Sequence, residues 1–354
     1  MSDNGHTHDQ EDPMGEQSDD NSSLYSLEFP APAVSGDEGD GPVLIHALEG
    51  FADAGHAVAL AAAHLRDSLD SELVATFSTD ELIDYRSRRP TITFTGQEFS
   101  DVEMPALTMH AVRDTAGRPF LLLAGSEPDL RWEQFVEAVR GLAERFGVTD
   151  VIGLNAIPMA VPHTRPPSIT AHGNDSDSLG DLPRWGSAMK LPASASMLLE
   201  LRLSEHGYRA AGLSVHVPHY LSQTNYPAAS ARLIDAVAGI TGLRLPITAL
   251  DSAAEDVRAQ VDTEVTGNAE IESVVSALEN QYDSFHASQS GRASLLAPEE
   301  ALPSGEELGA ELERFLAEQA QGDSGSAEDG FSGGSVTDGP DDTTPDTDDS
   351  RPED

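Results

Sequence analysis

The stretch LIHALEGFADAGHAVALAAAHL, Leu44 to Leu65, sets an apolar run against a long alanine-rich repeat, with a glycine-flanked turn between them. Val43 to Leu48 reads as a buried strand, and Ala54, Ala57, Val58, Ala61, Leu65 and Leu69 then recur at steps of three and four, one stripe of a helix. The stripe is made of small residues, so this helix is expected to lie close against its neighbour. Gly50 and Gly55 have the spacing of a phosphate loop, but such a loop needs Lys and then Ser or Thr after its second glycine, and His56 and Ala57 stand there. No G-x-G-x-x-G occurs in this turn, and Glu49 and Asp53 at its mouth would repel an anion. The expected reading is a hinge: Gly50 permits a tight strand-to-helix turn and Asp53 caps the helix.

The same alternation continues outward, as in an α/β layer fold. Leu73 to Phe77 reads as a strand, and Ala106 to Val112 with Phe120 to Ala124 as a hairpin closed over the turn DTAGRP, Asp114 to Pro119. The segment RWEQFVEAVRGLAERFG predicts a helix capped by Asp129 and stopped at Gly147. Strands follow at Val148 to Ile157, Ile169 to Ala171 and Gly212 to Val217, with helices over Leu191 to Leu203 and Ala228 to Ala238. Beyond Leu245 the pattern is helical, and Ile271, Val274, Val275, Leu278 and Tyr282 share one face.

The 354 residues carry a formal net charge of −42, and the ends hold much of it. Residues 1–40 have 11 acids and no Lys or Arg, while residues 291–354 have 18 acids against three Arg. Such segments bury too little apolar surface to offset their chain entropy. The expected organisation is a disordered acidic tail over 1–40, an α/β core over 41–245 and a helical extension over 246–288. A second disordered acidic tail is expected over 289–354, with an amphipathic helix at 306–319 built on Leu308, Leu312, Phe315 and Leu316. The acidity argues against nucleic acid or an anionic membrane as partner. With no cysteine, disulfides, thiolate metal sites and cysteine nucleophiles are excluded. The acidic opening lacks a signal core and no run of about 18 apolar residues occurs, so a cytoplasmic location is expected.

No complete catalytic constellation is present. His163, His172, His216 and His219 stand near strand ends without a helical His pair or cysteine cluster to make a metal site. Ser187 and Lys190, the single lysine, have S-x-x-K spacing in what reads as a loop before a helix. Neither a metal nor a cofactor is expected. What remains is the rim formed by the carboxyl ends of the strands, where open α/β sheets gather ligands and partners. The candidates on that rim are Glu49, Asp53, Asn155, His163, Arg165, His216, His219 and Tyr220, with Arg165 as the candidate anion ligand.

Four of these segments, LEGFADAGHAV, DYRSRRPTI, GLNAIPMAVPHTRP with TAHG, and GLSVHVPHYLSQTNYPAAS, closely resemble the proteasome-assembly-chaperone type 2 family in its actinobacterial branch. The resemblance covers about residues 43–285. It implies a phosphorylase-like three-layer α/β fold with a helical C-terminal extension, a tendency to form homo-oligomers, and binding to proteasome subunits or associated factors. The resulting expectation is a non-enzymatic assembly or interaction protein. The alternative is a binder of, or enzyme for, a nucleoside or phosphorylated ligand, with Glu49, Asp53, His163, Arg165 and His219 around one pocket.

Overall fold

A computed structural model of the chain describes residues 24–34, 41–186 and 188–292. Ten strands are described: β1 (Tyr25–Leu27), β2 (Val43–Glu49), β3 (Asp70–Phe77), β4 (Thr91–Thr95), β5 (Glu98–Glu103), β6 (Leu107–Arg113), β7 (Pro119–Ser126), β8 (Asp150–Met159), β9 (Ile169–Gly173) and β10 (Arg209–Pro218). The described helices are α1 (Ala57–Ser68), α2 (Thr79–Leu82), α3 (Trp132–Arg145), α4 (Ala195–Glu205), α5 (Pro227–Thr241), α6 (Thr248–Thr266) and α7 (Ala269–Arg292).

Eight strands form one mixed sheet in the order β1-β3-β6-β7-β2-β8-β10-β9. Its centre, β7-β2-β8-β10, is parallel, and antiparallel strands flank it on both sides. The central strands are apolar on both faces, as parallel strands under two helical layers must be. Ile45, Leu122, Leu154 and Leu213 face the layer of α1 and α5, whereas Leu44, Leu121, Leu123 and Val151 face α3 and α4. This is the expected three-layer α/β arrangement. The alanine stripe of α1 does admit a close neighbour: Ser230 of α5 donates its hydroxyl to the Ala57 carbonyl of α1 at 2.9 Å.

The hairpin of β6 and β7 closes on the buried Asp114, which accepts from the amides of Ala116 and Arg118 and, with its other oxygen, from that of Arg244. Three sequence expectations need correction. Asp129 does not cap α3; its carboxylate pairs with Arg88 and accepts from the Asp84 amide, and Arg131 holds the N-cap position. The helix expected from Leu191 begins at Ala195, because Ser194 is the N-cap and its hydroxyl accepts from Met197 N to set the start. Tyr25–Leu27 is a strand paired with β3, and Leu24 is fully buried, so part of residues 1–40 belongs to the folded unit.

In the extension, α6 packs on α5, and of the apolar face expected on α7 only Val275 and Leu278 are buried. The helix expected at 306–319 and Ser187 of the S-x-x-K spacing lie outside the described residues. Among the described residues no helix is long and apolar enough to cross a membrane.

Candidate functional site

The parallel strands all end at one edge, so the turn after β2 meets the ends of β7 and β8. Phe51 N donates to Glu127 Oε2 at 2.9 Å and Gly55 N to the Ser222 carbonyl at 2.8 Å. The Ala52 carbonyl accepts from Ala156 N at 2.7 Å. The amides that a phosphate would need at Phe51 and Gly55 are thus already bonded to acceptors of the chain itself. Glu127 also accepts from Ala195 N, the first amide of α4, at 2.6 Å. This buried carboxylate fills the place at a helix N-terminus that an anion would take. A Cβ on Gly50 would strike it, and Gly55 has φ +66°, so both glycines are demanded by the turn itself.

Asp53 Oδ1 accepts from Val58 N at 2.7 Å, the helix-start role its sequence position suggests. Burial pushes its carboxyl up to about 6; the amides of Val58 and Ala59 oppose this and neighbouring Glu49 adds to it. The Glu49 carboxyl is also raised by burial, against the pull of Arg66, His56 and Arg88. With its folded-state value above the ordinary 3.8, Asp53 holds more proton in the folded than in the unfolded chain between these limits. Its ionisation therefore lowers stability as pH rises through that window. Asp53→Asn keeps an acceptor for Val58 N, and is expected to flatten this part of the pH dependence and raise the urea midpoint at neutral pH. An unchanged pH slope in urea titrations would refute this.

A second group joins the proline-rich loop after β8 to the helical extension. His163 N donates to the Tyr220 hydroxyl at 2.9 Å, and His163 Nδ1 lies 2.7 Å from that oxygen. His163 Nε2 lies 3.0 Å from Asp262 of α6, so the consistent tautomer carries its proton on Nε2 and accepts from Tyr220 O–H at Nδ1. Arg165 makes two parallel bonds to Asp283 of α7, at 2.9 and 2.7 Å, and a third to Glu279 at 3.1 Å. The pairing holds the Asp283 carboxyl below its ordinary value. Thr164 bonds Glu279, and the Tyr282 hydroxyl donates to the Pro166 carbonyl. The guanidinium expected to meet an anionic ligand is here engaged by two carboxylates of the chain. His219 stands beside Tyr220, ring centres 5.3 Å apart, on a groove with Val261, Val265, Ile271 and Val274.

A third group lies between the sheet and α4. Where β2, β8, β10 and β9 face that helix, the side chains turn polar: His46, Asn155, Ser214, His216 and Thr170, all buried. Asn155, Ser214 and Thr170 are register partners on three adjacent strands. In the next row, Gly153 and Gly212 leave room for two imidazoles. A Cβ on Gly153 would come within 2.6 Å of the His46 ring, and one on Gly212 would strike that of His172. Helix α4 reaches both rings from one face: Ser196 Oγ is 3.2 Å from His46 Nδ1, and Glu200 Oε2 is 3.0 Å from His172 Nε2. Burial, then His172, brings His46 down to about 4, whereas the bond to Glu200 raises His172. His216 is lowered by burial and then by His286, and its Nε2 lies 3.3 Å from Thr170 Oγ1.

The eight rim residues therefore fall into three groups: Glu49 with Asp53; Asn155 with His216; and His163, Arg165 and Tyr220, with His219 beside them. Among the described residues no side-chain hydrogen bond joins one group to another. His46, Ser196, Ser214 and Thr170 were not indicated by the sequence. His46 sits inside the apolar run of β2, and its polarity there was the available signal.

A three-layer α/β core whose carboxyl-edge loop is tied to a C-terminal helical pair defines the class. The chain belongs to the PAC2 family, whose model matches residues 47–265. It is similar to the Mycobacterium tuberculosis protein Rv2714, described as of unknown function, with 52% identity over 80% of this chain and 95% of that one and a TM-score of 0.73. A Corynebacterium glutamicum protein of unknown function is 49% identical over 74% of this chain and 97% of its own, with a TM-score of 0.71. The M. tuberculosis proteasome-assembly chaperone homologue Rv2125 shares the fold at 24% identity, over 66% of this chain and 99% of its own, with a TM-score of 0.61. No curated protein matches.

Proposed function

We propose that this protein acts by binding: it self-associates and engages a proteasome-related partner during assembly. The observation that carries the reading is the ribbon of β4 and β5. Among the described residues these strands pair only with each other, and nearly every residue of both is exposed, including Ile92, Phe94, Phe99 and Val102. The Phe94 and Phe99 rings are 5.1 Å apart across the ribbon. A lone two-stranded hairpin is marginal in water, and exposed apolar clusters mark contact surfaces, so such an arm is completed by a protein partner. A second copy of the chain is the partner that is always available to it. PAC2 family membership supports the proteasome-related partner.

The test is reconstitution. Purified protein is mixed with unassembled proteasome α and β subunits of its own organism, and the products are read by native mass spectrometry. Stoichiometric complexes with subunits or half-assembled rings, or faster maturation of the particle, are expected. Assembly that proceeds at the same rate with no complex at any stage would remove the proteasome from the proposal while leaving self-association to its own measurement.

A further inference from the structure

The polar face under α4 has no structural account as a core. Asn155 Oδ1 and His46 Nε2 are fully buried and have no hydrogen-bond partner among the described residues, and their residues are only 4% and 0% exposed. No hydrogen bond of the Asn155 amide nitrogen or the Ser214 hydroxyl is found among the described residues, but, unlike those two atoms, neither is closed to solvent. Leaving buried polar groups unpaired destabilises a fold, whereas an apolar residue of similar size at any of these positions would not. The row formed by Asn155, Ser214 and Thr170 crosses three strands, four residues before β8 and β10 reach the carboxyl edge at which open α/β sheets hold small ligands. Trp185 stands at that edge with its ring 5.9 Å from the His216 ring, while itself 45% exposed.

We propose that this face is a small-molecule site that reads an amide-type edge, a hydrogen-bond donor beside an acceptor in one plane. An unpaired carboxamide offers the same pair in reverse, and Asn155 thus selects lactam, urea or carboxamide groups through two bonds, with Ser214 as a third point. Trp185 supplies an aromatic wall for a flat ring. The ligand is neutral: His172 is paired with Glu200, and the named groups offer no unpaired cation for an anion. The residues involved are separate from the clasp of His163, Arg165 and Tyr220, and the inference does not depend on the assembly role.

Uracil and nicotinamide are suitable probes for the full-length protein, with 1,3-dimethyluracil and nicotinate as partners whose edge is blocked or replaced. Saturation-transfer NMR and titration of tryptophan fluorescence should give dissociation constants of about 1 mM for the first pair, a range open to molecules of so few atoms. The blocked pair should bind at least about tenfold more weakly. Asn155→Leu should weaken uracil and nicotinamide to a similar extent while raising the thermal midpoint of the free protein, because it removes an unpaired buried amide. Ser214→Ala, a smaller change, should weaken binding without loss of fold. Equal binding of blocked and unblocked probes, equal binding to Asn155→Leu and wild type, or no binding of any probe would overturn the proposal. Ordered water alone at the unpaired groups would then be the explanation.

Discussion

Replacing both Phe94 and Phe99 with aspartate is expected to abolish the proposed self-association and leave a monomer of unchanged fold. The two rings are 61% and 69% exposed in the single chain. Burying a phenylalanine side chain contributes about 1.5–3 kcal/mol, so two per copy hold about 3–6 kcal/mol of association, and the new carboxylates would have to be desolvated as well. An association constant lowered by about a hundredfold or more follows. Light scattering at micromolar concentration reads the mass, and circular dichroism with urea titration reads the fold. Because β4 and β5 pair only with each other among the described residues, the urea midpoint extrapolated to low protein concentration should stay where it was. An unchanged mass would show that the arm is not the contact, and a collapsed midpoint would show that it packs on its own core.

Glu127→Ala should be the most destabilising single change at the carboxyl edge that leaves no steric clash. The wild-type carboxylate accepts from Phe51 N and from Ala195 N, tying the turn after β2 to the start of α4. The buried Ala195 amide left without a partner costs about 1–3 kcal/mol and the partly buried Phe51 amide less, so a loss of about 1–4 kcal/mol is expected. Glu127→Gln retains one acceptor oxygen and should recover part of the loss. Urea midpoints should therefore rank wild type above Glu127→Gln above Glu127→Ala. If Glu127→Ala stayed within about 0.5 kcal/mol of wild type, water would be serving both amides and the carboxylate would not be the tie described here.

The layered core was legible because period and burial agree along most of it. The step from Leu48 to Val58 changes from extended to helical spacing, and the structure changes there too. Tyr25–Leu27 was hidden by its acidic neighbours, since what makes it a strand is pairing with Ala75–Phe77, a contact some fifty residues away. In the β4 and β5 ribbon, β4 alternates threonine with Ile92 and Phe94 ahead of Gly96, but β5 sets Phe99 and Val102 among Glu98, Ser100, Asp101 and Glu103 out of that period, and neither strand has a buried face in the single chain to enforce it. Strand-end position singled out Asn155, His216, His163 and Arg165, but the face each side chain takes depends on register. One residue of register separates Asn155, on the side of α4, from Ala156, in the core against α1. Arg165 could be recognised as a bidentate cation from sequence; that its carboxylates come from Glu279 and Asp283 could not.

The clasp between the proline-rich loop and α7 is built from partly exposed ion pairs and hydroxyl bonds, whereas the α/β layers cohere through buried apolar side chains. Ionic strength acts on the first kind of attachment and hardly on the second. Among the described helices, α7 is consequently the one whose polar ties to the core weaken most as salt rises, while its buried Val275 and Leu278 are hardly touched.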